Sequence, residues 1–238
     1  APVQVSGWGY LNGTGLDAID AFIVNEVIVP PGDERYYVER PVHVPCPLGF
    51  EPPTDDLPIV PRDPDAPITF GNLGRVAKIS EDALTLWSDV LKALPESRLL
   101  LKDRGYDPER TRMRIWKGFA ERGIDPSRVE LRGTSKRREH MLVYNEVDVV
   151  LDALPQSGGV TTLEALWMGV PTVTLYGDRI VGRAAACHLA HFEISSRLIA
   201  HSREEFVQMA LAAVERKERG EWLREALRTS VVTDHASQ

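Results

Sequence analysis

The sequence is poor in cysteine, in long apolar runs and in positive charge. Its two cysteines, Cys46 and Cys187, form neither a metal-binding spacing nor a disulfide framework. A reducing, cytoplasmic location is therefore expected. No run of residues is long and apolar enough to span a bilayer, and no signal peptide is expected. The chain starts with Ala1 rather than methionine, and we expect it to be processed or cut.

Acidic residues outnumber basic ones, which argues against two classes of partner. The 238 residues carry 28 Lys and Arg against 35 Asp and Glu, a formal net charge of −7. Nonspecific binding to nucleic acid or to an anionic membrane is therefore not expected, although a local basic cleft can still exist. The hydrophobic fraction of 43% is enough for a packed core in one large or two small domains.

The larger, second part of the sequence alternates apolar strands with amphipathic helices. Ser80 opens one helix that places Leu84 and Trp87 on one face, and residues 202–205 form a capping box that opens another. This alternation predicts an α/β fold with a doubly wound parallel sheet. Strands are predicted at Ile68–Asn72, Arg98–Lys102, Val129–Arg132, Val147–Leu151 and Thr172–Leu175, and further helices at Pro108–Arg122, at Lys136–Asn145, from Thr161 and at Arg183–Leu189.

A smaller segment precedes this alternating region. It contains short predicted strands at Val3–Ser6, Ala21–Val29 and Arg40–Val44. Prolines and acids then dominate residues 45–67, a composition typical of a linker. We place the boundary near Pro58, which predicts a first domain of residues 1–57 and a second of residues 58–238.

A glycine-rich stretch joins the fourth of these strands to the next helix. A serine and two glycines at residues 157–159 allow a tight turn and close approach by a ligand. Thr161 and Thr162 follow at the helix start, where free amides and hydroxyls favour a phosphate group. Glu164, in the first turn, is suited to accept hydrogen bonds from ribose hydroxyls. The alternative is an ordinary strand-to-helix connection in which Glu164 only favours the helix dipole.

Other loops are predicted at the same edge of the sheet, because ligands of open α/β sheets bind beyond the carboxyl ends of the strands. These loops concentrate positive charge, hydroxyls and glycine in an acidic protein, and their agreement predicts an anionic ligand. They contain Arg75 and Lys78, Lys102, Thr134 to Arg137, Gln156 to Thr162, and Asp178 to Arg183.

The segment Gly158–Gly169, GGVTTLEALWMG, resembles the nucleotide-sugar motif of O-linked N-acetylglucosaminyltransferases, a family that includes the SPINDLY-type enzymes. The similarity extends along nearly the whole chain, without counterparts of the tetratricopeptide repeats or of most of the first catalytic lobe. It implies a GT-B type, Rossmann-like nucleotide-sugar-binding lobe at residues 58–238, preceded by the end of a partial second lobe at residues 1–57. The substrate-binding residues that it implies are Gly159, Val160, Thr161, Thr162 and Glu164.

The segment Phe70–Ile79 resembles the part of the family that bears a diphosphate-contacting lysine. The resemblance therefore implies that Lys78 is the catalytic residue that stabilises the leaving group as its charge develops. Arg75 stands where the family has an amide, and an arginine there is suited to bind phosphate. Without the resemblance, Lys78 is a solvated surface lysine.

The basic loop Thr134–His140 resembles the family's uracil-binding loop. That loop has a residue with a backbone contact, a basic side chain and a histidine. The corresponding positions here are Ser135, Arg137 and His140. The resemblance implies that His140 packs against the base and does not transfer protons. Without it, the loop is a solvated helix start.

Taken together, the resemblance implies an inverting, metal-independent glycosyltransferase without a cofactor. The implied donor is a UDP-sugar, with N-acetylglucosamine favoured, and the implied acceptor is a Ser or Thr hydroxyl of a protein or peptide. GDP-fucose and UDP-glucose remain alternative donors. The loop Trp8–Gly15 resembles the family loop that contacts the sugar, but Leu11 and Asn12 replace the family's proline and glycine.

The sequence shows no recognisable catalytic base. The family's histidines proposed for that role lie upstream of Ala1, so this chain alone is expected to bind donor and to turn over poorly. Two alternatives belong to other classes. One is a nucleotide-sugar-binding module without activity, and the other is a sugar-nucleotide epimerase, which requires carboxylates facing the sugar.

Overall fold

The computed structural model describes residues 2–7, 12–44, 50, 53, 56–190, 192 and 195–215, and it places them in two parallel sheets. The sugar-contacting loop predicted at Trp8–Gly15 therefore lies partly outside the described residues. Cys46 also lies outside them. The first sheet has the order β1-β2-β3. Its strands are β1 (Val5–Ser6), β2 (Ala21–Val24) and β3 (Arg40–His43).

The strand predicted at Ala21–Val29 stops at Val24, and a turn follows. The side chain of Asn25 accepts a hydrogen bond from the amide of Ile28 at 3.0 Å, and its carbonyl accepts one from Val29 at 3.0 Å. An asparagine that bonds the backbone ahead of it stabilises a turn in place of a strand. Ile28 and Val29 remain fully buried, because they pack with Cys187 of the second region.

The second sheet has six parallel strands in the order β6-β5-β4-β7-β8-β9. The chain runs from β4 outward to β6, returns beside β4 with β7, and continues to the other edge. Strand order therefore reverses between β4 and β7, which makes a topological switch point there. The strands are β4 (Thr69–Asn72), β5 (Arg98–Lys102), β6 (Val129–Arg132), β7 (Val149–Leu151), β8 (Thr172–Leu175) and β9 (Ile199–Ala200).

This arrangement confirms the predicted doubly wound α/β sheet. The sequence did not predict β9, which has only two residues and no periodicity to detect. The division into domains at residues 57 and 58 stays a prediction. Within the described ranges, the second sheet and its helices share one hydrophobic core that also includes Leu57.

Within the described residues, six α-helices alternate with the strands. The hydroxyl of Ser80 caps α1 by accepting a hydrogen bond from the amide of Ala83 at 3.1 Å, and Leu84 and Trp87 lie on its buried face. The helices are α1 (Glu81–Ala93), α2 (Glu109–Ala120), α3 (Arg137–Leu142), α4 (Val160–Trp167), α5 (Ala184–Leu189) and α6 (Arg203–Glu215).

The helix predicted at Lys136–Asn145 is shorter than expected. It ends at Leu142 and tightens into a 3₁₀ turn at Val143–Glu146. Tighter last turns satisfy carbonyls that have no partner at a helix end. The consequence for the site is that Tyr144 turns inward and becomes fully buried.

None of the helices in the described ranges is both long and apolar enough to cross a membrane.

Candidate functional site

The glycine-rich loop between β7 and α4 lies at the switch point of the second sheet, and one of its peptide groups is held at both ends. The ammonium of Lys78 donates a hydrogen bond to the carbonyl of Ser157 at 2.7 Å. The carboxylate of Asp152 accepts one from the amide of Gly158 at 2.7 Å. Carbonyl and amide belong to the same peptide group, so a cation faces its negative end and an anion its positive end. We call this arrangement the diphosphate-loop clamp.

Asp152 follows β7 directly and is buried. One carboxylate oxygen accepts hydrogen bonds from the amides of Ala153 and Gly158, and the other accepts one from the hydroxyl of Thr174 at 2.7 Å. Burial raises the pKa of this carboxyl from 3.8 to about 6, although the hydrogen bonds and the charge of Lys78 act in the opposite direction. Asp152 is therefore a buried anion at neutral pH.

Lys78 lies half-buried in the 3₁₀ turn after β4. Burial lowers the pKa of its ammonium, Asp152 raises it, and Arg75 lowers it further. Arg75 is exposed and contributes positive charge beside Lys78. The structure thus brings together two of the predicted phosphate-binding cations and the predicted glycine loop.

The first turn of α4 offers amides to an anion, but fewer than the sequence predicted. The amides of Thr162 and Leu163 already donate to the carbonyl of Gly159, at 3.0 and 3.4 Å. Those of Gly159, Val160 and Thr161 donate no hydrogen bond within the described part of the chain. Any anion cradle therefore uses residues 159–161, and the buried Thr162 supports the turn from behind.

Glycine is required at only one of the two neighbouring positions. A Cβ at Gly158 would lie 2.6 Å from the hydroxyl oxygen of Thr162 and 3.1 Å from the carboxylate of Asp152. At Gly159 a Cβ would meet nothing within 4 Å. Gly158 thus lets the loop fit against the diphosphate-loop clamp, whereas Gly159 faces open space.

Glu164 is buried on the first turns of α4 and faces the basic loop. Its carboxylate forms an ion pair with Arg137 and lies 3.9 Å from the Nε2 atom of His140. The hydroxyl of Tyr144 donates a hydrogen bond to the carbonyl of Thr161 at 3.2 Å and lies beside the same carboxylate. Burial raises the pKa of Glu164, and Arg137 opposes this. The predicted ribose and base residues therefore contact one another in the free protein.

The basic loop after β6 is held by a second clamp of the same kind. The ammonium of Lys102 donates to the carbonyl of Gly133 at 2.9 Å, and the carboxylate of Asp107 accepts from the amide of Thr134 at 2.8 Å. These are again the two ends of one peptide group. A Cβ at Gly133 would lie 1.9 Å from the Asp107 carboxylate, so this base-loop clamp requires glycine.

His140 lies beside this second clamp. Burial lowers the pKa of its imidazole to about 4, with Lys102 and Arg137 acting in the same direction. The ring is therefore neutral at physiological pH, which suits packing against a base. Ser135, at the loop tip, is half-buried, and its hydroxyl donates to the carbonyl of Lys136 at 3.4 Å.

The comparisons with known proteins decide the family. The model of glycosyl transferase family 41 matches residues 60–236. The chain belongs to glycosyltransferase family 41. A rice relative, described as a probable UDP-N-acetylglucosamine–peptide N-acetylglucosaminyltransferase SPINDLY, is 35% identical over 215 residues, which cover 89% of this chain and 23% of that protein. This family 41 chain thus spans about a quarter of the length of such relatives.

Two further relatives support the assignment. The UDP-N-acetylglucosamine–peptide N-acetylglucosaminyltransferase of Caenorhabditis elegans is 32% identical over 148 residues, 62% of this chain and 12% of that protein. A solved point mutant of the O-GlcNAc transferase of Thermobaculum terrenum superposes with a TM-score of 0.90 at 36% identity, covering 98% of this chain and 44% of that one. The expected family and the GT-B fold are confirmed.

The family 41 chain joins its two sheets through Arg183. The guanidinium donates to the carbonyl of Ile28 at 3.0 Å and pairs with Asp33 at 2.9 Å, both in the first region. The hydroxyl of Tyr176 adds a hydrogen bond to the carbonyl of Val27 at 2.9 Å. Arg183 therefore supports the contact between the two regions.

Sequence reasoning missed three residues of this site. Asp152 bonds backbone groups of its own loop, Asp107 bonds the backbone of another loop, and Tyr144 was placed inside a longer helix. The signal available for Asp152 was an acid directly after an apolar strand, at the edge of the sheet where ligands bind. Across the ranges that the structure describes, no group of three or more His, Cys, Asp or Glu side chains has an arrangement that could hold a metal ion.

Proposed function

We propose that this chain is the donor-binding part of a glycosyltransferase that transfers N-acetylglucosamine from UDP-N-acetylglucosamine to Ser or Thr hydroxyls of proteins. The observation that carries the proposal is that Lys78 bonds the glycine-rich loop at the switch point of a family 41 fold. The amides that follow in this loop, those of residues 159–161, donate no hydrogen bond within the described ranges. Amide N–H groups at a helix start and a lysine ammonium at the same edge of a sheet together can bind a diphosphate.

In the proposed reaction, the acceptor hydroxyl attacks the anomeric carbon from the face opposite the diphosphate, and the bond to UDP breaks with inversion. The hydroxyl proton passes to a base of the upstream catalytic lobe. Lys78 stabilises the charge that develops on the leaving group. The amides of residues 159–161 bind the same diphosphate in substrate and in product. Lys78, Arg75 and these amides supply the positive charge, so the proposed reaction is metal-independent and needs no cofactor.

The nucleoside half of the donor is proposed to lie against the basic loop. Uracil would pack beside neutral His140 and near Ser135 and Arg137. The ribose hydroxyls would share Glu164 with Arg137, because the two side chains already form an ion pair. A cytoplasmic location stays a prediction.

The proposal is tested by titration calorimetry of this chain with UDP, GDP and ADP. UDP is expected to bind most tightly, because the basic loop after β6 resembles the uracil-binding loop of the family. Binding of GDP equal to or tighter than UDP would contradict the uracil assignment and favour a GDP-fucose donor. A chelator in the buffer should leave UDP affinity unchanged if binding is metal-independent.

A second candidate function is a nucleotide-sugar-binding module without activity of its own. It concerns the chain taken by itself, because the matched part covers only 23% of the rice relative and the match alone does not carry that longer protein's activity. A transfer assay on this chain, alone and with the upstream region of a family 41 relative supplied in trans, separates the two. We expect donor binding in both cases and turnover only with the added region.

A further inference from the structure

We propose that Asp152 is a positioning residue that sets Lys78 and the anion-binding amides through the peptide group between Ser157 and Gly158. Asp152 would hold the loop through the hydrogen bond from the Gly158 amide, and its negative charge would hold the ammonium of Lys78. The catalytic meaning of this inference rests on the proposed function, but the arrangement itself does not.

The geometry places three groups in one line of contact. Asp152 accepts from the Gly158 amide at 2.7 Å, and Lys78 donates to the Ser157 carbonyl at 2.7 Å. The peptide between them is rigid and planar, so moving either end moves the other. The next amides along the chain belong to residues 159–161, which have no partner among the described residues.

The loop is also held from its other side. The amide of Ser157 donates to the carbonyl of Val181 at 3.0 Å, and its hydroxyl accepts from the amide of Ala185 at 3.3 Å. Asp152 itself is fixed by the Thr174 hydroxyl, and its backbone carbonyl accepts from the indole of Trp87 at 3.1 Å. The loop is anchored at these points, and Lys78 is held to it by the hydrogen bond to the Ser157 carbonyl.

Hydrogen bonding alone does not explain a carboxylate at this position. An asparagine could accept from the amides of Ala153 and Gly158 with its oxygen and donate to the Thr174 hydroxyl with its nitrogen. What an asparagine lacks is a negative charge for Lys78. Because burying a charge is costly, a buried carboxylate that an amide could replace points to a role for the charge.

Among the described residues, the charge of Asp152 has one close counterpart. Lys78 is the charged side chain that acts on it from the turn after β4, whereas α1 and β8 present the indole of Trp87 and the hydroxyl of Thr174. The charge of Arg75 repels the ammonium of Lys78. Asp152 therefore keeps a half-buried ammonium charged and directed at the loop, against both burial and its cationic neighbour.

The test follows the titration of the Lys78 side chain by NMR in protein labelled with ε-¹³C lysine. Lys78→Arg removes its signal and thereby assigns it. In Asp152→Asn the titration midpoint of Lys78 should fall below the wild-type value, because the stabilising anion is gone. Thr174→Val is the matched control: it removes one hydrogen bond to the carboxylate and keeps the charge, so Lys78 should titrate as in the wild type.

An unchanged Lys78 midpoint in folded Asp152→Asn would overturn the proposal. If that variant does not fold, the reciprocal measurement decides. Lys78→Met should raise the pKa of the Asp152 carboxyl above its wild-type value, and an unchanged carboxyl pKa would equally overturn it.

Turnover by the enzyme that includes its upstream lobe separates this inference from the proposed function. Asp152→Asn should lower kcat by about tenfold with little change in KM, on the scale known for partners that orient a functional group. A shifted Lys78 titration with unchanged kcat would leave the clamp standing and refute a role of Asp152 in turnover. An unshifted titration refutes the clamp whatever the activity.

Discussion

Two loops of this protein are held by the same device in opposite surroundings. In each, a lysine bonds the carbonyl and an aspartate bonds the amide of one peptide group. In the diphosphate-loop clamp, the aspartate is buried, and burial raises the pKa of Asp152 to about 6. In the base-loop clamp, the aspartate is exposed, and hydrogen bonds from Thr134 lower the pKa of Asp107.

The difference shows what each clamp is suited to do. The exposed carboxylate keeps its hydration and stabilises its loop in the charged state. The buried carboxylate is costly in the charged state, and it acts on a lysine that the proposed reaction uses. One clamp thus favours a stable loop for the proposed base selection. The other lowers stability beside the proposed reacting atoms, as functional sites often do.

The largest expected effect comes from the cation of the diphosphate-loop clamp, Lys78. Lys78→Ala should reduce turnover of the enzyme with its upstream lobe by roughly a hundred- to thousandfold, because one contact to developing charge is lost. UDP affinity should fall much less, since the amides remain. Steady-state kinetics and calorimetry on the same variant measure both quantities.

The control for that variant is Lys92→Ala, which removes an exposed lysine of α1. Full turnover in a folded Lys78→Ala protein would refute the catalytic assignment of Lys78.

The next largest effect is on the free energy of unfolding. Replacing the aspartate by asparagine is expected to change it in opposite directions in the two clamps. Asp152→Asn should stabilise the chain at pH 7 by roughly 3 kcal/mol at most, since the carboxyl titrates at about 6 when folded and 3.8 when free. The raised pKa means that ionisation destabilises the fold. The stability gain of Asp152→Asn over the wild type should therefore increase from pH 3.8 to about pH 6 and stay constant above that pH. Denaturant unfolding at a series of pH values measures it.

Asp107→Asn is the matched variant in the other clamp. The lowered pKa of Asp107 means that its ionised form stabilises the fold above pH 3.8 and that this is lost as pH falls through the folded pKa. The variant should be less stable than the wild type at pH 7. The same sign for both variants would remove the distinction between the clamps.

A smaller effect is expected from the cation of the base-loop clamp. Lys102→Met keeps an apolar stem in a buried place but leaves the Gly133 carbonyl without its charged donor. UDP affinity should fall by about 1.5 kcal/mol, or about tenfold, the low end for hydrogen bonds to charged groups. Pyrophosphate affinity should not change, and Lys117→Met on the exposed face of α2 serves as the control.

The smallest effect concerns a hydroxyl at the start of α4. Thr161→Ala should weaken UDP by about 1 kcal/mol if this hydroxyl bonds the diphosphate. Thr161→Ser keeps the hydroxyl and should bind UDP as the wild type does. Equal affinities of the alanine and serine variants, measured by calorimetry, would show that only the backbone of this turn contributes.

The sequence predicted those features that depend on local pattern. Alternating apolar strands and amphipathic helices predicted the parallel sheet, and glycines before Thr161 predicted the turn into α4. The clamps were not predictable, because Asp152 and Lys78 are 74 residues apart and meet only through the sheet order. Likewise, the contact of Arg137 with Glu164 depends on how α3 and α4 are placed, which periodicity does not specify.

The most direct test of the account is amide mapping by NMR on ¹⁵N-labelled chain with pyrophosphate, uridine and UDP. If the two clamped loops are the two halves of one nucleotide site, pyrophosphate should shift the amides of residues 159–161 and leave the base loop unchanged. Uridine should shift the amides around Ser135 and His140, and UDP should shift both sets. UDP that shifts neither set, or that shifts amides elsewhere on the described surface, would contradict the account.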